Sequence, residues 1–529
     1  MLTDGRDLGA SVREADVCVA GAGPAGITLA VELAGRGLRV CLLESGGLRW
    51  TIRNQLHFRG KSTGDPYHPL FRARTRAFGG TSHHWLKTTR GWSVDGGLRC
   101  RPLDPLDFEE RPHVPGSGWP FDARHLAPYY ARAHAAAGLH DPTYDPARLS
   151  DPEATPLLSL PGGVVETAAC LMAPARSFLD RFAEVRDAPN VDLILNATAV
   201  GFDAEGGPLR VRAVQAAVPG GARFGVRAKH FVLAGGGIEN ARLLLNARIG
   251  NEHGLVGRTF MEHVQFDSAI LHPSDPELGG RLGFYRRHQA GGVAVLGGFR
   301  LSDEAIRDQG LLNSFTTFLP RTALFASPGV RSFAELFQGA RMGHGTGHFR
   351  GHAANVVRGL PEVARAIGHK AFPRRSDDPT LLGLVTTAEQ APHPESRVTL
   401  GRARDDCGLR RARLHWRLGE LDFGSLRRTQ EILADEFADA RLGHVTNLWG
   451  DSSPTPTPVG CWHHVGTTRM HVSPGDGVVD PDCRVHSTEN LFVAGSSVMP
   501  TAGATTVTLT LVALAIRLAD HLAGLSGAR

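Results

Sequence analysis

Residues Asp16 to Glu44, DVCVAGAGPAGITLAVELAGRGLRVCLLE, leave little choice of fold. Val17 to Ala20 is a short unbroken apolar run, the pattern of a strand buried on both faces of a parallel sheet. It leads directly into Gly21-Ala22-Gly23-Pro24-Ala25-Gly26, a GxGxxG, and then into a small-residue helix from Ile27 to Gly35. A second apolar run, Val40 to Leu43, ends in Glu44, eighteen residues beyond Gly26. Each part has a mechanical task. Gly21 permits a tight turn, Gly23 lets the backbone approach a pyrophosphate, and Gly26 lets helix and strand pack closely. The helix start at Pro24 and Ala25 turns free N–H groups and a positive dipole end toward phosphates. Glu44 is placed to accept hydrogen bonds from a ribose. A lone GxGxxG is a weak sign, because glycine turns are common. With strand, helix and acidic residue in register, a dinucleotide site is expected rather than a ligand-free βαβ turn. The motif does not separate FAD from NAD.

At 529 residues the chain is too long for one simple core, and two domains are expected. A net charge of +5 is small for that length and speaks against a nucleic-acid partner, which needs a concentrated basic face. The seven cysteines form no CxxC, which gives no zinc or haem motif and fits reduced thiols. The first residues, MLTDGRDLGASVREAD, are polar and carry neither an apolar signal core nor a twin arginine. Val507 to Ile516 is too short an apolar run to span a bilayer, so no membrane span and a cytoplasmic location are expected.

Further motifs are spread along the chain. Phe78 to Trp85 reads FGGTSHHW, Phe231 to Leu245 reads FVLAGGGIENARLLL, and Gly257 to His263 reads GRTFMEH. Arg101 to Tyr130 and Glu389 to Leu400 (EQAPHPESRVTL) add two more, Cys461 to Met470 reads CWHHVGTTRM, and a segment beginning NLFVAGSSVMPTAGATTVTLTL starts at Asn490. In combination they resemble the glucose–methanol–choline (GMC) family of flavin oxidoreductases.

The resemblance implies an α/β fold with a Rossmann-type FAD-binding domain and a discontinuous substrate domain built on an antiparallel sheet. The FAD-binding part would take residues 1–262 and 452–529. The substrate part would take 263–451, with a helical insertion near 331–375. Strands of the substrate domain are expected in Gly292 to Phe299 and Arg410 to Leu418. His344, His348 and His352 are spaced by four, as on a metal-binding helix face. The glycines between them disfavour a regular helix, so solvated or site-lining histidines are expected and no metal.

The implied cofactor is FAD. Gly79, Gly80, Thr81 and Ser82 would form a loop along the flavin, and Gly495 would let backbone approach the ribityl–pyrophosphate. Thr508 would begin a helix, to Leu525, whose dipole points at the flavin; Arg517 and Asp520 would be its solvated face. His84 stands where pyranose-oxidase-like members carry a covalent flavin bond, so either covalent attachment or a site-lining role is open. In the family's WHxxGT pattern the first histidine is the base, here His463. Family members place histidine or asparagine just before the last helix; here the position is Thr506, which can share one hydrogen bond but cannot carry a proton charge.

The implied activity is oxidation of an alcohol (sugar, polyol or hydroxylated natural product) by hydride transfer to flavin N5, with oxygen, a quinone or a protein as electron acceptor. Thr506 also leaves room for non-standard or redox-neutral chemistry on the same fold, such as a lyase or a biosynthetic tailoring step.

Overall fold

The computed structural model describes residues 1–86, 97–140, 142–371, 380–449 and 454–527, with the side chains of 370 and 371 excepted. Its centre is a six-stranded, wholly parallel sheet in the order Leu2–Asp4, Val191–Leu195, Val40–Leu43, Val17–Ala20, His230–Leu233, Leu491–Val493. Every residue of Val17–Ala20 and Val40–Leu43 is buried, as the unbroken apolar runs require. The last strand pairs with His230–Leu233, so the distant C-terminal segment returns to the sheet begun at the N-terminus. The helices Pro24–Gly35, Ala123–Ala136 and Thr508–Leu525 pack together.

The second large element is a nine-stranded antiparallel sheet built mainly from His263–Pro273, Val293–Leu301, Ser314–Arg321, Leu381–Glu389 and Gly443–Asn447. Val293–Leu301 falls on the stretch expected from the sequence. Two further strands, Leu98–Cys100 and Val165–Ala173, come from before residue 263. Arg410–Trp416 is a strand, but it lies outside this sheet. It pairs with Arg397–Arg404 and, in parallel, with Lys61–Gly64, forming a separate three-stranded sheet. Alternation identifies a strand but carries no information about its partner. Three helices, Pro328–Met342, Phe349–Arg358 and Leu360–Ala371, form the insertion. They separate the three histidines: His344 lies in the link between helices, His348 precedes the second helix with a φ of 50°, and His352 lies within it. Among the described residues no cluster of three or more His, Cys, Asp or Glu is suited to a metal ion.

Thr508–Leu525 is long and apolar enough to cross a bilayer, yet 72% of it is buried inside the protein. It is a core helix. Each fully buried leucine or isoleucine on it contributes about 1.5–3 kcal/mol of burial. The expectation that Arg517 is solvated is corrected here: Arg517 is 8% exposed, and its guanidinium donates to Asp482 at 2.8 Å and to the carbonyl of Pro481 at 2.6 Å. A three-residue spacing on a helix does not reveal that another loop folds over that face. Asp520 remains half-exposed and accepts from Arg36 and Arg132.

Candidate active site

One continuous cleft runs from the glycine turn to the antiparallel sheet. At its first end it is lined by Gly21, Gly23, Pro24, Ala25 and Glu44. The glycines differ in what surrounds them. A Cβ on Gly21 would lie 2.5 Å from the Ala234 carbonyl oxygen, and one on Gly26 would run into the Gly21 carbonyl oxygen. A Cβ on Gly23 would meet nothing within 4 Å. Gly21 and Gly26 are therefore packing positions, whereas Gly23 faces open cleft. No side chain caps the helix Pro24–Gly35, whose N-terminal N–H groups are left for a ligand. Glu44 is buried and accepts from the N–H of Gly46 at 2.7 Å and of Ala22 at 3.1 Å. Burial pushes its carboxyl above the ordinary range, and those two N–H groups oppose the shift. A carboxylate offers about four acceptor sites, which leaves capacity for ribose hydroxyls.

Gly80, Thr81 and His84 line the middle of the cleft from the helical turn Gly80–Leu86. Gly80 closes over the glycine turn, its Cβ position 3.1 Å from Gly23 Cα. Gly79 and Ser82 stand behind this loop: the Ser82 hydroxyl donates to the Gly79 carbonyl at 2.6 Å and is fully buried. His83 is bonded to the carbonyl of Phe78 at 2.9 Å. The His84 ring meets Trp462 edge to face, centroids 4.7 Å apart. Gly495 lines the opposite wall with a φ of 108° and open space at its Cβ position. Thr508 begins the last helix at the cleft, again without a side-chain cap.

The far end is lined by Arg99, Met172, Gln265, Thr387, Cys461 and His463. Trp462 adopts a φ of 65°, a conformation costly for a bulky residue and found where surrounding structure enforces it. The His463 backbone N–H donates to Glu262 Oε2 at 2.8 Å. Nδ1 of the same residue lies 3.1 Å from Nδ1 of His263, and Nε2 of His263 lies 2.8 Å from the carbonyl oxygen of Gly503. Burial, then His263, Arg99 and His464, hold the His463 imidazole well below its usual pKa, so it is neutral near pH 7.

His464 turns the other way, as an extended segment predicts. Its Nε2 lies 2.9 Å from the Tyr67 hydroxyl, and Tyr67 in turn donates to Glu262 Oε1. Since the Tyr67 proton goes to the carboxylate, His464 Nε2–H is the donor to Tyr67. Burial depresses His464 to about 3 and raises Glu262 to about 7. Thr506 also lines the cleft, but its hydroxyl donates to the carbonyl of Arg99.

Sequence reasoning missed His263, Glu262 and Tyr67 as members of this network. The first two sit in the quoted GRTFMEH segment, but nothing in that run shows that it faces CWHHVGT. Tyr67 carries no local signal at all.

The sequence matches the family described as FAD dependent oxidoreductase over residues 16–369 and that described as GMC oxidoreductase over residues 392–515. The chain belongs to the GMC family of FAD-dependent oxidoreductases. It is 25% identical to 2-methyl-1,2-propanediol dehydrogenase of Mycolicibacterium austroafricanum, over 97% of this chain and 96% of that protein. It is 35% identical to C-glycoside 3-oxidase of Arthrobacter globiformis over a shorter stretch, 28% of this chain and 29% of that protein. The fold resembles that of crystalline pyridoxine 4-oxidase from Mesorbium loti, with a TM-score of 0.55, 18% identity, and coverage of 96% of this chain and 98% of that one. Its cofactor is FAD. The cleft fits it: two uncapped helix N-termini, open backbone at Gly23 and Gly495, and a buried acid at Glu44 are the donor set that a pyrophosphate, a ribose and an electron-accepting ring call for.

Proposed function

We propose that the enzyme oxidises an alcohol carbon of a small hydroxylated molecule, with His463 as the base that takes the hydroxyl proton. The observation that carries this reading is the His463 ring. It lines the far end of the cleft, and its only hydrogen bond among the described residues is made through Nδ1, on the side of His263. Nε2 is left to meet a substrate hydroxyl, and a neutral imidazole can take its proton. Bound FAD supplies the two-electron acceptor for the hydride that leaves the same carbon. Arg99, Gln265 and Thr387 offer polar contacts to further hydroxyls at that end, which suits a sugar or polyol. The relatives whose names include a propanediol and a C-glycoside agree with this substrate class. Oxygen, a quinone or a protein is the class of final electron acceptor.

The division into a cofactor part (1–262 and 452–529) and a substrate part (263–451) belongs to the same reading. It is amended by the two strands, Leu98–Cys100 and Val165–Ala173, that join the antiparallel sheet. Thr506 is committed to the Arg99 carbonyl, so the second member of the pair is supplied by His263 rather than by the residue before the last helix. That substitution of partners favours ordinary alcohol oxidation over a redox-neutral reaction on this fold.

The test is anaerobic flavin reduction with a panel of sugars, polyols and hydroxylated natural products. His463→Ala should slow reduction by about 10²–10⁴-fold while leaving the protein yellow, since general-base catalysis is worth that much and acts only in the chemical step. A variant that reduces its flavin at the normal rate removes His463 from the mechanism. Acid precipitation of the wild type and of His84→Ala reads the flavin linkage: a yellow wild-type pellet that turns colourless in the variant assigns His84 a covalent bond, and a released flavin assigns it to the cleft wall.

A further inference from the structure

We propose that His263 is a positioning residue that sets the tautomer of His463, through a proton order dictated by the carbonyl of Gly503. The inference rests on the reading of His463 as base.

The argument is one of hydrogen counting. A carbonyl oxygen only accepts, so the 2.8 Å contact between His263 Nε2 and Gly503 O requires a proton on His263 Nε2. A neutral imidazole has one N–H, so His263 Nδ1 is then a bare acceptor. The 3.1 Å contact between the two Nδ1 atoms needs one proton, and it must belong to His463. His463 is thereby fixed as the Nδ1–H tautomer, with its lone pair on Nε2. The reverse arrangement would place the proton on Nε2 of His463 and leave no base. When the substrate hydroxyl ionises, its proton moves to His463 Nε2, and the resulting imidazolium keeps its Nδ1–H bond to His263. No proton needs to leave the pair in that step.

The surroundings support both conditions of the argument. His263 is fully buried, and burial depresses it to about 4, so it is neutral near pH 7. The Gly503 carbonyl is held firmly. Gly503 has a φ of 67°, and a Cβ there would lie 2.6 Å from Asp107 Oδ2. Two residues earlier, the Thr501 hydroxyl donates to the Asp107 carbonyl at 2.7 Å and accepts from Trp119 Nε1 at 2.8 Å. The titratable and charged groups bearing on the pair are Arg99, which lowers both imidazoles, His464, which lowers His463, and Glu389, which raises His263. Glu389 is itself paired with Arg111. From His463, Glu262 accepts the backbone N–H, and its other oxygen accepts from Tyr67. The neighbouring His464 cannot substitute, because its Nε2 proton is committed to Tyr67.

The experiment is ¹⁵N NMR of histidine-labelled holoenzyme at pH 7, with His463 resonances assigned by their loss in His463→Ala, for wild type, His263→Leu and His263→Asn. The wild type should show a protonated Nδ1 and an unprotonated Nε2 at His463. His263→Leu removes the acceptor. It should mix the tautomers and slow anaerobic flavin reduction by about 10²-fold. His263→Asn places an amide oxygen near the old Nδ1 position. It should restore the Nδ1–H tautomer and most of the rate, and it keeps the test alive if the leucine variant does not fold. A wild-type His463 protonated on Nε2 overturns the proposal. So does a folded, yellow His263→Leu whose tautomer and reduction rate match the wild type. Normal reduction by His463→Ala would instead overturn the base itself, whatever the tautomer.

Discussion

The two ends of the cleft are built by different means. The nucleotide end is made of backbone from a few short segments: a strand, a glycine turn, a helix N-terminus and the acid at the tip of the next strand. Its key features are places where a side chain is missing. The far end is made of side chains from segments far apart in sequence: Tyr67, Glu262 and His263, His463 and His464, and the carbonyl of Gly503. Its key features are hydrogen bonds whose direction depends on which atom holds a proton. The first end is sensitive to added volume at Gly21 and Gly26, and the second to which atom holds a proton.

The largest effect that would sharpen this contrast lies in the glycine turn. Gly26→Ala puts a methyl into the Gly21 carbonyl and should abolish yellow, folded protein. Gly23→Ala meets no protein atom within 4 Å, so it should fold normally and weaken FAD by roughly 10–100-fold, read by flavin titration of the apoprotein. Equal damage from both would mean that the turn is not divided into packing and ligand-facing positions.

A second prediction concerns the proton-bearing end. His263 is depressed to about 4 and His464 to about 3, each chiefly by burial. Between those values and about 6.5 the unfolded chain binds protons that the folded protein refuses, so this part of the stability is complete above pH 6.5 and is lost as pH falls. Glu262 runs the other way. Raised to about 7, it favours the folded state at low pH and withdraws that support as pH rises from about 4.5 to 7. Glu262→Gln removes the opposing group, so denaturant midpoints of the variant should climb more steeply between pH 4.5 and 6.5 than those of the wild type. Parallel curves would show that Glu262 does not titrate in that window.

The smallest effect is expected at the position where this chain departs from its family. Thr506 donates to the Arg99 carbonyl, and asparagine can do the same. Thr506→Asn should change flavin reduction by less than about fivefold, because under one kcal/mol is at stake when one neutral donor replaces another. A loss of 10²-fold or more would restore Thr506 to the chemistry and weaken the case for His263 as the partner of His463.

Val17 to Glu44 announced its own structure because each of its signals is local. Apolar run, glycine spacing and acidic terminus all concern residues within one βαβ unit, and strand geometry makes their placement nearly independent of the rest of the fold. The helix Thr508–Leu525 was legible for the same reason, but the burial of Arg517 was not, since the loop that covers it comes from Pro481 and Asp482. Arg410–Trp416 was readable as a strand and misassigned in its sheet, because alternation fixes a face and not a partner.

The sequence by itself determined the dinucleotide end, the family, and the candidacy of His463, which a local pattern singles out. Only the tertiary structure decided which groups surround that histidine. Hydrogen-bond partners two to four hundred residues apart in the chain are chosen by how two sheets meet, and no local spacing encodes that meeting. The proton on His463 is the last thing so decided: it follows from a carbonyl at Gly503, forty residues away in sequence and two hydrogen bonds away in space.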